Sequence, residues 1–215
     1  MPFTVEEFLG IFRNYNNAVY PFQFILFLSA LYIIYLVFSK KSYSSRVVTW
    51  ILVFYWVWIG VVYQIIFFSS INPAAYAFGI IFIVQALLFI KAGIIDNKLE
   101  FRFEKGINQY IGGLIIFYAL IIYPLLGIYF GHTYPENPTF GLPCPTTIFT
   151  FGILLLTTKK IPIHIIGIPL IWAIIGFFAA INLGIKEDTG LLITGVLAAA
   201  LITKDKVKER KLNTV

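Results

Sequence analysis

Seven apolar stretches joined by short polar connections leave this chain few ways to fold: Pro21–Phe38, Val47–Phe68, Ala74–Ile95, Tyr110–Phe130, Thr146–Thr158, Ile161–Leu183 and Gly190–Thr203. Charged residues make up only 12% of its 215 residues, about half the share of a soluble domain. Mean hydropathy is +0.88. That balance excludes a disordered chain, a soluble nucleic-acid binder and an ordinary cytosolic enzyme, and it makes lipid the solvent. Backbone groups in hydrocarbon must be satisfied internally. The expectation is therefore an all-α, polytopic membrane protein of seven transmembrane helices. Five stretches approach the roughly 20 residues a spanning helix needs. The fifth and seventh are short. Thirteen helical residues reach about 20 Å at 1.5 Å each, against a core of about 30 Å, so non-helical backbone must complete the fifth crossing.

Orientation follows from the basic residues. Lys40, Lys41 and Arg46 lie between stretches one and two; Lys91, Lys98, Arg102 and Lys105 lie at or between three and four. Lys159 and Lys160 separate five and six, and Lys204, Lys206, Lys208, Arg210 and Lys211 follow the last. Of the 16 basic residues, 14 fall on one side; only Arg13 and Lys186 fall on the other. The expected location is the plasma membrane, multi-pass, with the N-terminus outside and the C-terminus cytoplasmic. The net charge of +6 is then a membrane-facing bias rather than a nucleic-acid footprint.

Residues 1–12 carry no basic start and do not read as a signal peptide. Thr4 with Glu7 forms a capping box and Phe3 with Phe8 a hydrophobic staple. Phe3, Phe8, Leu9 and Phe12 recur at helical spacing, which suits either an interfacial helix or an extension of the first span. The expected organisation is one membrane domain, 1–215: interfacial helix 1–19, seven-helix bundle 20–203 and basic cytoplasmic tail 204–215. The second stretch ends Phe67-Phe68-Ser69-Ser70-Ile71-Asn72 and the sixth Phe177-Phe178-Ala179-Ala180-Ile181-Asn182. This echo suggests 3+1+3 parallel repeats, or chance matching in a chain rich in Phe and Ile.

No Asp or Glu falls inside an apolar stretch, and no Lys falls mid-way along the seventh. A carboxylate proton relay and a retinal Schiff base therefore have no anchor. H-E-x-x-H, G-x-S-x-G and paired intramembrane aspartates are missing, so no hydrolase signature is present. Cys144 is the single cysteine, which excludes an intramolecular disulfide. His132 and His164 fall at opposite faces and cannot share one metal or haem; His164 reads as a packing or headgroup residue.

Uncharged polar residues gather toward the outside: Gln64, Asn72 and Asn182, with Thr146, Thr147 and Thr150. Only Gln85 falls near the midplane. The outer connections add His132, Glu136, Cys144, Glu187 and Asp188. Five acids against two bases on that face suggest an acidic vestibule, although solvated loops and interhelical hydrogen bonds account for the same residues. Gly131 to Thr147 holds four prolines and two glycines in 17 residues and cannot be regular helix. The expectation is that Phe140 to Pro145 enters the membrane as buried irregular backbone. Pro145 suits the first helical position, with Cys144 as N-cap and the helix starting near Thr146.

At these residues the chain resembles a family of prokaryotic integral membrane proteins described as domain-of-unknown-function family 6064. The marks are Pro2-Phe3-Thr4-Val5-Glu6, Trp58-Ile59-Gly60-Val61-Val62-Tyr63, Ile71-Asn72-Pro73-Ala74-Ala75, Gly131-His132-Thr133-Tyr134-Pro135 and Pro138 through Thr150. The resemblance covers nearly the whole chain and departs at Gln64, where relatives can carry histidine. It implies an integral membrane protein and no established activity.

The leading expectation is transport or binding of a small polar solute or soft metal ion at an outward-facing vestibule. His132, Cys144, Thr146, Thr147, Asn72, Asn182, Gln64 and Glu136 are its candidate residues. Cys with His suits Cu(I), Zn(II) or Hg(II), but a closed tetrahedral site needs Glu136 or a second protomer as well. The alternative is a non-enzymatic accessory or sensor subunit docking a partner through the outer loop. A third reading is an enzyme with Cys144 as nucleophile and His132 as base, for which no catalytic signature exists. No cofactor and no nucleic-acid partner is expected; the lipid bilayer is.

Overall fold

A computed structural model describes residues 3–39 and 41–212, with side chains through Lys204. The basic side chains of the tail beyond Lys204, and Lys40, lie outside the described residues. The fold is all-helical. The elements are α1 Val5–Val19, α2 Phe22–Phe38, α3 Ser44–Trp58, α4 Ala75–Phe89, α5 Ile107–Phe117, α6 Tyr123–Tyr129, α7 Pro143–Leu154, α8 His164–Leu183 and α9 Thr189–Leu212. Among the described residues there is no strand, only isolated bridges.

Four continuous helical segments are long and apolar enough to cross a membrane: Ser44–Ser70, Ala75–Ile95, Ile107–Tyr129 and His164–Leu183. A fifth arises if α1 and α2, bent by 85° at their junction, count as one span. Four to five such helices are compatible with a membrane protein; the expected seven are not all reached by length and composition. The outward faces support lipid as solvent, because Leu28, Ile66, Ile80, Leu87, Leu114 and Ile193 are exposed and water tolerates large apolar patches poorly.

α1 starts as the sequence predicts. Thr4 accepts from the Glu7 amide while Glu7 accepts from the Thr4 amide, and the Phe3 and Phe8 rings stack at 5.9 Å. Its apolar face (Ile11, Phe12, Tyr15 and Val19) is buried, so this end of the chain is packed rather than floating.

α7 explains the short fifth stretch. Every residue from Pro145 to Leu154 is buried, Thr146, Thr147 and Thr150 included, so the helix is surrounded and has no solvent face. Gly112 of α5 and Gly152 permit the closest approach, since a Cβ at Gly112 would stand 2.7 Å from the Gly152 carbonyl oxygen. Irregular backbone continues the buried path at both ends of α7. Phe140, Gly141, Leu142 and Pro143 are buried, and Gly141 (φ +103°) packs against Leu26 where a side chain would clash. At the other end the Leu156 carbonyl accepts from Arg102 N at 3.0 Å, and Thr158 N donates to the Glu100 carbonyl at 2.8 Å. The expectation of buried irregular backbone holds for Phe140–Leu142, whereas Pro143–Pro145, expected to be irregular, is already helical. The expected cap does not hold: Leu142 is the N-cap and Pro143 opens the helix, placing Cys144 inside its first turn. Pro143 suits that first position as well as Pro145 does.

The echo does not carry into three dimensions at its asparagines. Asn72 lies in a turn beyond its helix, where its side chain accepts from Ala74 N at 3.1 Å. Asn182 sits inside α8, exposed, donating to the Phe178 carbonyl at 2.6 Å.

A candidate ligand cavity at the His132 end

Two π-helical turns set the geometry. In an α-helix residues five apart diverge by about 140°; an i→i+5 turn brings them back toward one face. The first, Ile59–Phe67, continues α3. It turns Tyr63 and Phe68 together, their rings stacked at 5.8 Å and 11°. The second, Tyr118–Ile122, links α5 to α6. It sends two tyrosines to one loop: Tyr118 donates to the Glu187 carbonyl at 3.0 Å, and Tyr123 donates to the Asp188 carboxylate.

That loop, the short 3-10 element Lys186–Asp188, carries the buried charge of this end. Glu187 is fully buried and Asp188 is 4% exposed. Glu187 Oε1 meets His132 Nδ1 at 2.8 Å, while its Oε2 has no partner among the described residues. Gly127 makes room for this carboxylate, since a Cβ there would stand 3.3 Å from Oε1. Asp188 is held by the Tyr123 hydroxyl and the Cys144 thiol. Burial pushes its pKa up to about 7; the neighbouring Glu187 raises it further, whereas Tyr123, Cys144 and His132 hold it down.

Above Asp188 opens a cavity of about 380 Å³, within the size range of small-molecule sites. Its walls are apolar, in part aromatic (Phe3, Phe8, Phe12, Tyr63, Phe68, Phe78, Trp172 and Phe178) and in part aliphatic (Leu142, Ile174, Ile175, Leu183 and Ile185). Polar groups are few, namely Cys144, Asp188 and Asn72. Trp172 is buried, and its Nε1, without a hydrogen-bond partner among the described residues, shares the space over Gly176 with Cys144 Sγ.

The predicted site residues separate. Cys144 and Asn72 line the cavity, whereas His132 lies outside its lining, paired to Glu187 next to Asp188. Glu136 pairs instead with Arg13 on the surface, and Asn182 faces away. Thr146 is buried and its hydroxyl accepts from Gly141 N at 3.1 Å, a structural role at the start of α7. Thr147 and Gln64 are buried off the cavity, with no side-chain partner among the described residues. Gln85, also buried, donates to the Ile165 carbonyl at 3.0 Å. The expected Cys144–His132 pair is not formed, because His132 is taken by Glu187. Among the described residues no group of three His, Cys, Asp or Glu side chains converges to hold a metal ion.

Sequence reasoning missed Asp188, Tyr123, Trp172 and the aromatic walls as site residues. One signal was present: Glu187-Asp188 is a pair of acids abutting an apolar stretch in a chain with only ten. It also missed Asn16, which is fully buried and clamps the 131–142 loop to α1. Its Nδ2 donates to the Pro135 and Asn137 carbonyls at 2.7 and 2.9 Å, and its Oδ1 accepts from Thr139 at 2.7 Å.

No curated protein and no solved structure matches the chain. One family model matches residues 5–213, almost the full length, and its description is a family of unknown function. The chain with this aromatic, carboxylate-floored cavity is therefore a member of the DUF6064 family.

Proposed function

We propose that this is a multi-pass plasma-membrane protein that binds a small solute at the cavity, as a transporter whose site opens outward. Loops rich in lysine and arginine at the opposite end support the orientation, with the N-terminus outside. To reach seven crossings, α1 with α2 counts as one, and α7 and α9 cross with help from buried loops.

One observation carries the ligand class: the Asp188 carboxyl at the floor of an aromatic-walled cavity. Aromatic faces attract cations, and a carboxylate in a dry site needs a positive partner. The ligand that fits is a small amphiphile with a cationic, ammonium-like head and an apolar body, rather than the freely polar solute expected from the vestibule reading. A soft metal ion fits less well, because Cys144 has Asp188 but not His132 beside it. The accessory-subunit reading has less support, since Asn16 and Arg13 engage the backbone and Glu136 of the outer loop internally.

The test is a thermal-shift panel on purified protein at a pH above the Asp188 titration. Tetraethylammonium and benzyltrimethylammonium should raise the melting temperature, their uncharged isosteres should not, and Asp188→Asn should abolish the response. A response to Zn(II) or to anions, with none to ammonium probes, overturns the proposal.

A further inference from the structure

A second cavity lies at the opposite end of the bundle and has the opposite chemistry. It measures about 210 Å³ and forms where residues 41–46, the extended segment 97–102 and Lys159 meet. Four cations line it: Lys41, Arg46, Arg102 and Lys159. The only carboxylate among its lining residues is Glu100, which lies 3.6 Å from Arg102 and 3.5 Å from Lys159. That leaves an excess of three positive charges around one small polar pocket. Nearby Lys91 and Lys98 do not contribute, because both are paired to Asp96.

The excess cations are not balanced elsewhere. Arg46 is exposed and has no ion-pair partner among the described residues, and Lys41 meets the Tyr43 ring at 5.6 Å and the Tyr43 and Tyr35 hydroxyls, none of them a carboxylate. Backbone donors add to them. α3 begins at Ser44 with no side-chain cap, and the amides of Ser45 and Arg46 have no acceptor among the described residues. A 15-residue helix extended by its π turn directs its positive end into this pocket. Ser45 is itself fixed, its Oγ accepting from Phe101 N at 3.0 Å, which ties the helix start to the 97–102 segment. Guanidinium forks with free helix amides match the tetrahedral oxygens of phosphate better than a single carboxylate.

We propose that this pocket binds a phosphate group, carried on an anionic lipid headgroup or on a soluble phosphate, gripped by Arg46, Arg102, Lys41 and the amides at the start of α3. Glu100 holds Arg102 and Lys159 in place at the rim. The pocket sits at the end where basic loops meet the membrane surface, which is where such headgroups concentrate.

The experiment uses the full chain in two arms. In the first, protein in phosphatidylcholine nanodiscs with or without phosphatidic acid is released into native mass spectrometry and lipid retention is counted. In the second, detergent-purified protein is titrated with inorganic phosphate and its melting temperature followed. Arg46→Gln with Arg102→Gln should lower binding at least tenfold in the responding arm. Lys91→Gln with Lys98→Gln removes the same charge from the same surface and should change binding less than twofold. Retention of phosphatidic acid alone names a lipid headgroup, and a phosphate response alone names a soluble ligand. Absence of both overturns the proposal, as does equal loss in the two double variants, which would make the attraction a general property of the basic surface. Retained monodispersity and response to the ammonium probes establish that a variant is folded.

Discussion

Asp188→Asn gives the most direct test of the carboxylate floor, and its size follows from linkage. The Asp188 carboxyl is 4% exposed and titrates at about 7 instead of 3.8. The folded state therefore holds this proton more tightly than the unfolded chain does. Stability from the group is complete below the unfolded value, near pH 4, and is lost as pH rises toward the folded value, near pH 7. About three pKa units at 1.36 kcal/mol each give a loss of about 4 kcal/mol between about pH 4 and pH 8. For a chain of this length that is about 10 °C in melting temperature. Asparagine keeps the shape and can still accept from Tyr123, but it cannot ionise. The variant should match the wild type near pH 4 and exceed it by most of this amount near pH 8. The measurement is unfolding in detergent across this pH range. Parallel curves for the two proteins would refute the reasoning, because they would mean that Asp188 is not buried against charge as described.

The same titration predicts that binding of benzyltrimethylammonium, which cannot lose its charge, weakens as pH falls below about 7, a dependence that Asp188→Asn removes; isothermal titration across pH checks it. Asn16→Ala leaves two carbonyls and the Thr139 hydroxyl without their partner and should cost about 3 kcal/mol, read as a lowered melting temperature and faster proteolysis of the 131–142 loop. Gly152→Ala would place a Cβ 2.6 Å from Ile116 Cγ1 and 2.9 Å from the Gly112 oxygen; overpacking should cost about 2 kcal/mol, and a neutral result would show that α5 and α7 are not in close contact. Gln64→Leu removes a buried amide with no partner among the described residues and should raise stability by about 1–2 kcal/mol; destabilisation would reveal that the amide has a partner in the core.

The helices were legible because hydropathy is a local property. The third apolar stretch, Ala74–Ile95, differs by one residue from the observed span Ala75–Ile95, and the Thr4–Glu7 capping box formed as read. The buried irregular backbone of Phe140–Leu142 was also legible, from the shortness of the fifth apolar stretch. What escaped depends on tertiary placement. Nothing in the composition of Ile59–Phe67 or Tyr118–Ile122 distinguishes a π turn from an α turn, yet these turns decide that Tyr63 meets Phe68 and that Tyr118 and Tyr123 reach one loop. Glu187 and Asp188 read as outer-face acids, of a vestibule or of solvated loops; their burial comes from packing against α6, α8 and α9, with Tyr118 of the π turn and Cys144 of α7 in contact. Cys144 was placed one step outside its helix because two prolines, Pro143 and Pro145, each suit the first position and only packing chooses between them.

The two cavities together give the bundle a chemical polarity along its axis. One end offers an apolar aromatic cup over a buried carboxyl, and the other a small cationic pocket at the start of α3. They are connected mechanically through that same helix. It begins at Ser44 with its free amides in the cationic pocket and ends, through the π turn Ile59–Phe67, with Tyr63 and Phe68 in the cup wall. A π turn has an alternative, the regular α-helix, which would rotate Tyr63 and Phe68 apart by about 140°. A shift between the two would change the cup wall and alter the register of α3 relative to Gly79, where Gly60 already packs backbone against backbone. Occupancy at either end can bias such a shift only if its ligand favours one register. Coupling would then be reciprocal: phosphate should change the affinity for ammonium probes by the same factor by which those probes change the affinity for phosphate. No change in either affinity would mean that α3 is a rigid strut and the two cavities are independent.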